Sequence, residues 1–180
     1  MTSDELQQLK YPIGEFTLPN TISAQDISKW IDDIEKLPND IENLTASLTE
    51  NELNYIYRPN GWTIKQVVHH CADSHINSIT RFKLALTEDT PTIRPYFEDR
   101  WAKLNDYQEP IDTAISILKG VHTKLGILIR NFNEEDLQRI FVHPEHGKIF
   151  TLKETIGLYA WHSNHHLAHI EQALEYKGRF

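Results

Sequence analysis

The chain has 180 residues, of which 39% are hydrophobic and 24% are charged, the usual balance of a globular domain with its own core. Its formal net charge is -8, with acidic residues spread along the sequence, which argues against a nucleic-acid surface and against binding to anionic membranes. No stretch approaches the run of about 18 apolar residues that crosses a bilayer, and the first residues do not resemble a signal peptide. We therefore expect a single cytoplasmic domain over residues 1–180.

Four long stretches show the apolar spacing of amphipathic helices. They cover residues 22–48, 61–86, 109–132 and 151–177. Two of them open on a capping box, in which Thr63 precedes Gln66 and Thr151 precedes Glu154. Pro38 is predicted to kink or break the first helix.

The connections between these helices differ in character. Residues 88–110 contain three prolines and are predicted to form a long surface loop. Residues 139–151, RIFVHPEHGKIFT, are two short β-prone runs around a turn, which predicts a small β-hairpin. The sequence therefore predicts an all-α four-helix bundle with one hairpin before the last helix, an architecture that builds metal sites from inward-facing side chains.

The last predicted helix carries WHSNHHLAHI, residues 161–170, which holds four of the ten histidines. On a helical wheel His162 and His166 flank the buried face one turn apart, so their imidazoles can converge on one metal ion. The wheel places His169 further round and His165 nearly opposite the buried face, so this second pair is predicted to face solvent. Because Cys71 is the one cysteine, any metal site must use histidine and carboxylate ligands.

A metal held by two histidines needs a third ligand, and the second helix offers candidates. His69 and His70 lie on opposite flanks of its apolar stripe, about 120 degrees from the centre, while His75 lies near the centre. Periodicity alone does not choose between His69 and His70.

The motifs ISKWIDDIEKLP, GWTIKQVVHHCADSHINSITRFKLAL and GLYAWHSNHHLAHI resemble the DinB/YfiT superfamily, and in particular its YfiT branch, described as metal-dependent hydrolases. The resemblance implies a four-helix bundle with a three-histidine site for one divalent metal ion, and suggests a homodimer. Imidazole ligands suit zinc, nickel, iron and copper alike, and zinc is the expected ion with nickel as the alternative. In this pattern one ligand lies eight residues after a tryptophan at the start of the second helix, which corresponds from Trp62 to His70. The HxxxH pair corresponds to His162 and His166.

Three functions are compatible with such a site. Three neutral imidazoles leave a divalent ion its full charge, so it can activate a bound water for hydrolysis or bind a thiol as thiolate. The superfamily also contains thiol-dependent S-transferases, so a transferase acting with a low-molecular-weight thiol is the alternative to a hydrolase of small molecules. A non-catalytic metal-binding module is the third possibility, although structural zinc sites normally have four protein ligands.

The remaining candidates have weaker support. Asp73 is a possible general base, but it is equally a solvated residue or a partner that orients an imidazole. Cys71 lies in the apolar stripe and is expected to pack in the core. Three other histidines are expected to be surface residues or hydrogen-bonded core residues: His122, His143 and His146.

Overall fold

The computed structural model describes residues 2–145 and 147–180. Four long helices account for about half of it: α2 (Ala24–Thr45), α4 (Ile64–Thr87), α6 (Asp112–Arg130) and α8 (Leu152–Tyr176). The shorter elements are α1 (Ser3–Lys10), α3 (Glu50–Leu53), α5 (Glu98–Trp101), a 3-10 turn (Asn105–Gln108), α7 (Glu134–Gln138), β1 (Ile140–His143) and β2 (Lys148–Thr151).

The long helices form the predicted four-helix bundle. Both α2 and α4 pack against α6 and α8, so α2 and α4, which follow one another in the chain, occupy opposite corners. The helices that carry the predicted metal ligands, α4 and α8, are neighbours. A site with ligands from both helices requires this arrangement. None of the described helices is long and apolar enough to span a membrane.

Local sequence explains where the two ligand-bearing helices begin. At the start of α4 the hydroxyl of Thr63 accepts from the N–H of Gln66, whose side chain accepts from the N–H of Thr63. Thr151 and Glu154 form the same reciprocal pair at the start of α8. Both predicted capping boxes are therefore confirmed, and each satisfies two N–H groups that a helix start leaves unpaired.

The predicted hairpin is also confirmed. Strands β1 and β2 pair antiparallel with Ile140 opposite Thr151 and His143 opposite Lys148. Phe141 faces the core, where it packs among residues of α4 and α8. The hairpin therefore leads the chain directly into α8.

Of the two outcomes predicted for Pro38, a kink or a break, the break does not occur, because α2 runs without interruption from Ala24 to Thr45. A proline has no N–H, so the carbonyl of Ile34, four residues earlier, loses its helical donor. The Nδ1–H of His122 in α6 donates to this carbonyl at 2.6 Å and replaces the missing bond.

Candidate metal centre

Packing of α4 against α8 brings His70, His162 and His166 together on the inside of the bundle. One ring nitrogen of each lies within 4.8 Å of the others. The Nε2 atoms of His70 and His162 are 3.3 Å apart. The three residues assigned through the family pattern therefore meet in space.

The donor set fits a divalent metal ion. Two imidazole nitrogens bound at about 2.0 to 2.1 Å on a tetrahedral zinc are about 3.3 Å apart, which is the separation of the His70 and His162 Nε2 atoms. The ring of His70 is packed against Trp62, with centroids 4.7 Å apart, which limits its rotation. His70 is therefore held at a chelating distance from His162.

The three imidazoles are neutral near pH 7, which is the form that binds metals. Burial, together with the neighbouring His165, lowers the pKa of His70 to about 4. Burial also holds the pKa values of His162 and His166 well below the usual value. Binding of a metal at neutral pH would thus displace no proton from these rings.

A hydrogen-bonded chain from the N-terminal segment sets the tautomer of His166. The carbonyl of Lys10 can only accept, so the Nε2 of His169, 3.0 Å away, carries the proton. The Nδ1 of His169 is then an acceptor for the Nδ1–H of His166, at 3.4 Å. This leaves the lone pair of His166 on Nε2, free for a metal ion.

The second ligand of α8 has a similar partner that the sequence did not identify. The Nε2 of His75 lies 3.1 Å from the Nδ1 of His162. When His162 donates to His75, its own Nε2 keeps the lone pair that faces His70. The sequence did contain a signal for this contact, because His75 lies at the centre of an apolar stripe. A histidine there is fully buried and needs a polar partner.

His69, the alternative that periodicity left open, points away from this cluster. Its Nε2 lies 3.2 Å from the carbonyl oxygen of Glu109, and its ring packs beside Tyr107. The structure therefore places His70, and not His69, beside the HxxxH pair.

The prediction that His165 and His169 face solvent is wrong. Their exposed fractions are 7% and 2%. His169 stacks on Tyr57 at 3.8 Å between ring centroids, and His165 lies between Tyr11 and Trp161. A wheel describes one helix, and it contains no information about the N-terminal segment and the α3–α4 connection that cover this side of α8.

His165, His166 and His169 form a second group whose nitrogens also lie within 4.8 Å of one another. A neutral imidazole has one lone pair, so His166 can serve only one group at a time. Residues next to each other on a helix, such as His165 and His166, do not face one another. The geometry thus favours the group that spans α4 and α8.

The other candidates lie outside the cluster. The carboxylate of Asp73 accepts a hydrogen bond of 2.7 Å from Tyr107, and this residue does not line the histidine cavity. Cys71 is fully buried, as predicted, and burial raises the pKa of its thiol. His122 is a hydrogen-bonded core residue, and His143 is half-buried at the cavity edge. His146 lies outside the described residues.

An open cavity of about 780 Å³ leads to the cluster. Its volume is that of a small-molecule site. Aromatic and charged side chains line it beside the histidines, among them Tyr96, Trp161, Arg58 and Arg81. Neither arginine was singled out from the sequence, because nothing in the local pattern distinguishes them from surface cations.

Comparison with known proteins agrees with this geometry. The model of the DinB superfamily matches residues 33–170. "Putative metal-dependent hydrolase BH0277" of Halalkalibacterium halodurans is 46% identical over 92% of this chain and 96% of its own, and a protein of the same description from Bacillus mycoides is 46% identical over 94% and 98%. The solved structure of YfiT from Bacillus subtilis, described as a probable metal-dependent hydrolase with an unusual four-helix bundle topology, superposes with a TM-score of 0.91 at 41% identity, covering 95% of this chain and 98% of YfiT.

Proposed function

Because this chain belongs to the DinB superfamily, we propose that it is a metal-dependent hydrolase in which His70, His162 and His166 hold one divalent ion. The observation that carries the proposal is the convergence of three neutral imidazoles from two helices, with His70 and His166 buried, His162 partly buried, and the Nε2 atoms of His70 and His162 at 3.3 Å. The names of the similar bacterial proteins support the same activity.

The chain supplies positioning and access. His75 and His169 orient the two ligands of α8 through their Nδ1 atoms. The cavity admits a small molecule to the open side of the cluster. A divalent ion held there supplies Lewis acidity and lowers the pKa of a coordinated water.

The test begins with metal analysis of protein purified without a histidine tag. We expect about one divalent ion for each chain, since the three ligands form one site. The loaded and chelated proteins are then assayed with a panel of esters and amides, and separately with a low-molecular-weight thiol plus an electrophile.

Metal-dependent cleavage of an ester or amide supports the hydrolase. Turnover that requires the thiol identifies an S-transferase instead, and a bound metal without turnover of either kind identifies a binding module. Zinc rather than nickel, a cytoplasmic location and a homodimer stay predictions, which metal analysis, cell fractionation and light scattering test.

A further inference from the structure

The cavity beside the histidine cluster contains two arginines that have no acidic partner. In residues 2–145 and 147–180, no carboxylate lies within ion-pairing distance of Arg58 or Arg81. We propose that these guanidinium groups bind an anionic substrate, held by a carboxylate or phosphate group next to the metal centre. The inference rests on the proposed function for the location of the reacting bond.

Arg81 is fixed beside His162. Its Nη1 donates to the hydroxyl of Tyr159 at 3.0 Å, and the Tyr159 ring meets the His162 ring edge-on at 5.9 Å between centroids. The buried Nε of Arg81 has no acceptor among the described residues. Among the described residues, the one side chain that bonds to Arg81 is a neutral hydroxyl, so no described carboxylate neutralises its charge.

Arg58 lines the same cavity near His169. Its guanidinium carbon is 5.3 Å from the ring centroid of Tyr57, which stacks on His169. Its Nη1 donates to the carbonyl of Pro59 at 3.0 Å, and its Nε has no acceptor in the described part of the chain. Both positive charges therefore line the cavity that contains the three imidazoles.

The two arginines differ from those cations of the protein that are paired with an acidic residue. Five others form ion pairs with carboxylates: Lys29, Lys36, Lys65, Lys119 and Arg130. The chain has a net charge of -8, so it contains more carboxylates than basic side chains. Three carboxylates lie on the exposed rim of the cavity and pair with neither arginine: Glu98, Asp99 and Glu145.

A half-buried guanidinium that lacks a counter-ion is suited to an anionic ligand. Its planar fork matches the paired oxygens of a carboxylate or a phosphate, and such charge-assisted bonds are stronger than neutral ones. A substrate anchored in this way would present a nearby bond to the histidine cluster. Neutral substrates would leave both charges uncompensated.

The experiment measures binding of succinate and of inorganic phosphate by calorimetry, with the neutral succinamide for comparison. Both metal-free and zinc-loaded protein are titrated. We expect at least one anion to bind and succinamide not to bind, and the tighter anion distinguishes carboxylate from phosphate recognition. Arg81→Gln and Arg58→Gln should each weaken binding about tenfold or more, the loss typical of one charged hydrogen bond.

Arg179→Gln is the control, because it removes the same charge from an exposed residue outside the cavity. Melting curves verify that each variant is folded, and Arg81→Lys and Arg58→Lys should keep part of the affinity because the charge remains. The inference is wrong if neither anion binds, or if both glutamine variants bind as well as the wild-type protein.

The two proposals fail separately. Arginine-dependent anion binding by a chain that holds no metal would support the anion site and reject the metalloenzyme. Metal-dependent hydrolysis that is indifferent to both arginines would reject the anion site alone.

Discussion

His122 in α6 donates its Nδ1–H to the carbonyl oxygen of Ile34 in α2, at 2.6 Å. This carbonyl is the one that Pro38, four residues further on, cannot reach with a backbone N–H. A side chain from a neighbouring helix therefore completes the hydrogen bonding of α2. The interaction ties α2 to α6 at a buried position, because His122 is 2% exposed.

Replacing His122 by Leu should destabilise the fold by about 1 to 3 kcal/mol, since the carbonyl of Ile34 is left buried and unpaired. In a Pro38→Ala background the same replacement should cost at least about 1 kcal/mol less, because alanine supplies the helical N–H that proline lacks. Urea unfolding of the four proteins in this double-mutant cycle measures the difference. Additive effects would show that His122 does not substitute for the missing donor.

The same imidazole makes stability depend on pH. Burial lowers the pKa of His122 to about 4, below its value of about 6.5 in an unfolded chain. The unfolded state therefore binds more protons between these values, so stability present above pH 6.5 is lost as the pH falls towards 4. The loss from His122 is about 3 kcal/mol.

His122→Asn tests this contribution, because its amide can donate to Ile34 and does not titrate in this range. We expect the unfolding free energy of the metal-free variant to fall less steeply between pH 7 and pH 4 than that of the wild-type protein. Equal slopes in urea titrations would contradict the assignment, whatever the absolute stability of the variant.

Much of the fold could be predicted because its signals are local. The capping boxes at Thr63 and Thr151 and the turn-rich segment 139–151 depend on residues close in sequence, and all were confirmed. The sequence could not show that the helix continues through Pro38, because the donor that compensates for the proline lies in another helix. The sequence pattern of one helix predicts that helix, but it does not predict the hydrogen-bond partners that neighbouring helices supply.

The site shows the same division. The i, i+4 spacing predicted that His162 and His166 lie side by side, whereas the choice of His70 over His69 needed the family pattern. The helical wheel placed His165 and His169 towards solvent, but both are covered by residues more than 100 positions earlier in the chain. A wheel of one helix cannot show this cover. Partners such as His75 are contacts between helices, which a single-helix wheel cannot represent.

Removal of the metal should lower the melting temperature without unfolding the bundle, since the core on both sides of the cluster is apolar. A ligand at one hundred times its Kd stabilises by about 2.7 kcal/mol, which corresponds to about 5 to 10 °C for a domain of this size. Scanning calorimetry before and after chelation measures the shift. No shift after verified metal loss would argue against a tight site, and complete unfolding would indicate a structural metal.

Alanine substitution should separate the ligands from their neighbours. His70→Ala, His162→Ala and His166→Ala should each abolish stoichiometric metal binding and any metal-dependent activity, because two imidazoles hold the ion poorly. His69→Ala is the matched control, since it removes an adjacent histidine whose Nε2 faces Glu109. Metal analysis after dialysis gives the answer, and loss of metal in the His69 variant with retention in the His70 variant would reverse the assignment.

The replacement of His169 distinguishes the two histidine groups. His169 orients the ligand His166, so His169→Ala should weaken metal affinity about 10- to 100-fold without abolishing binding. His169→Asn should recover part of this affinity, because its side-chain oxygen can accept from the Nδ1–H of His166 in place of the imidazole. His165→Ala should keep full affinity. Competition with a chromophoric chelator measures all three, and if His165→Ala and His169→Asn both lose the metal while His70→Ala keeps it, then the ion is held by His165, His166 and His169.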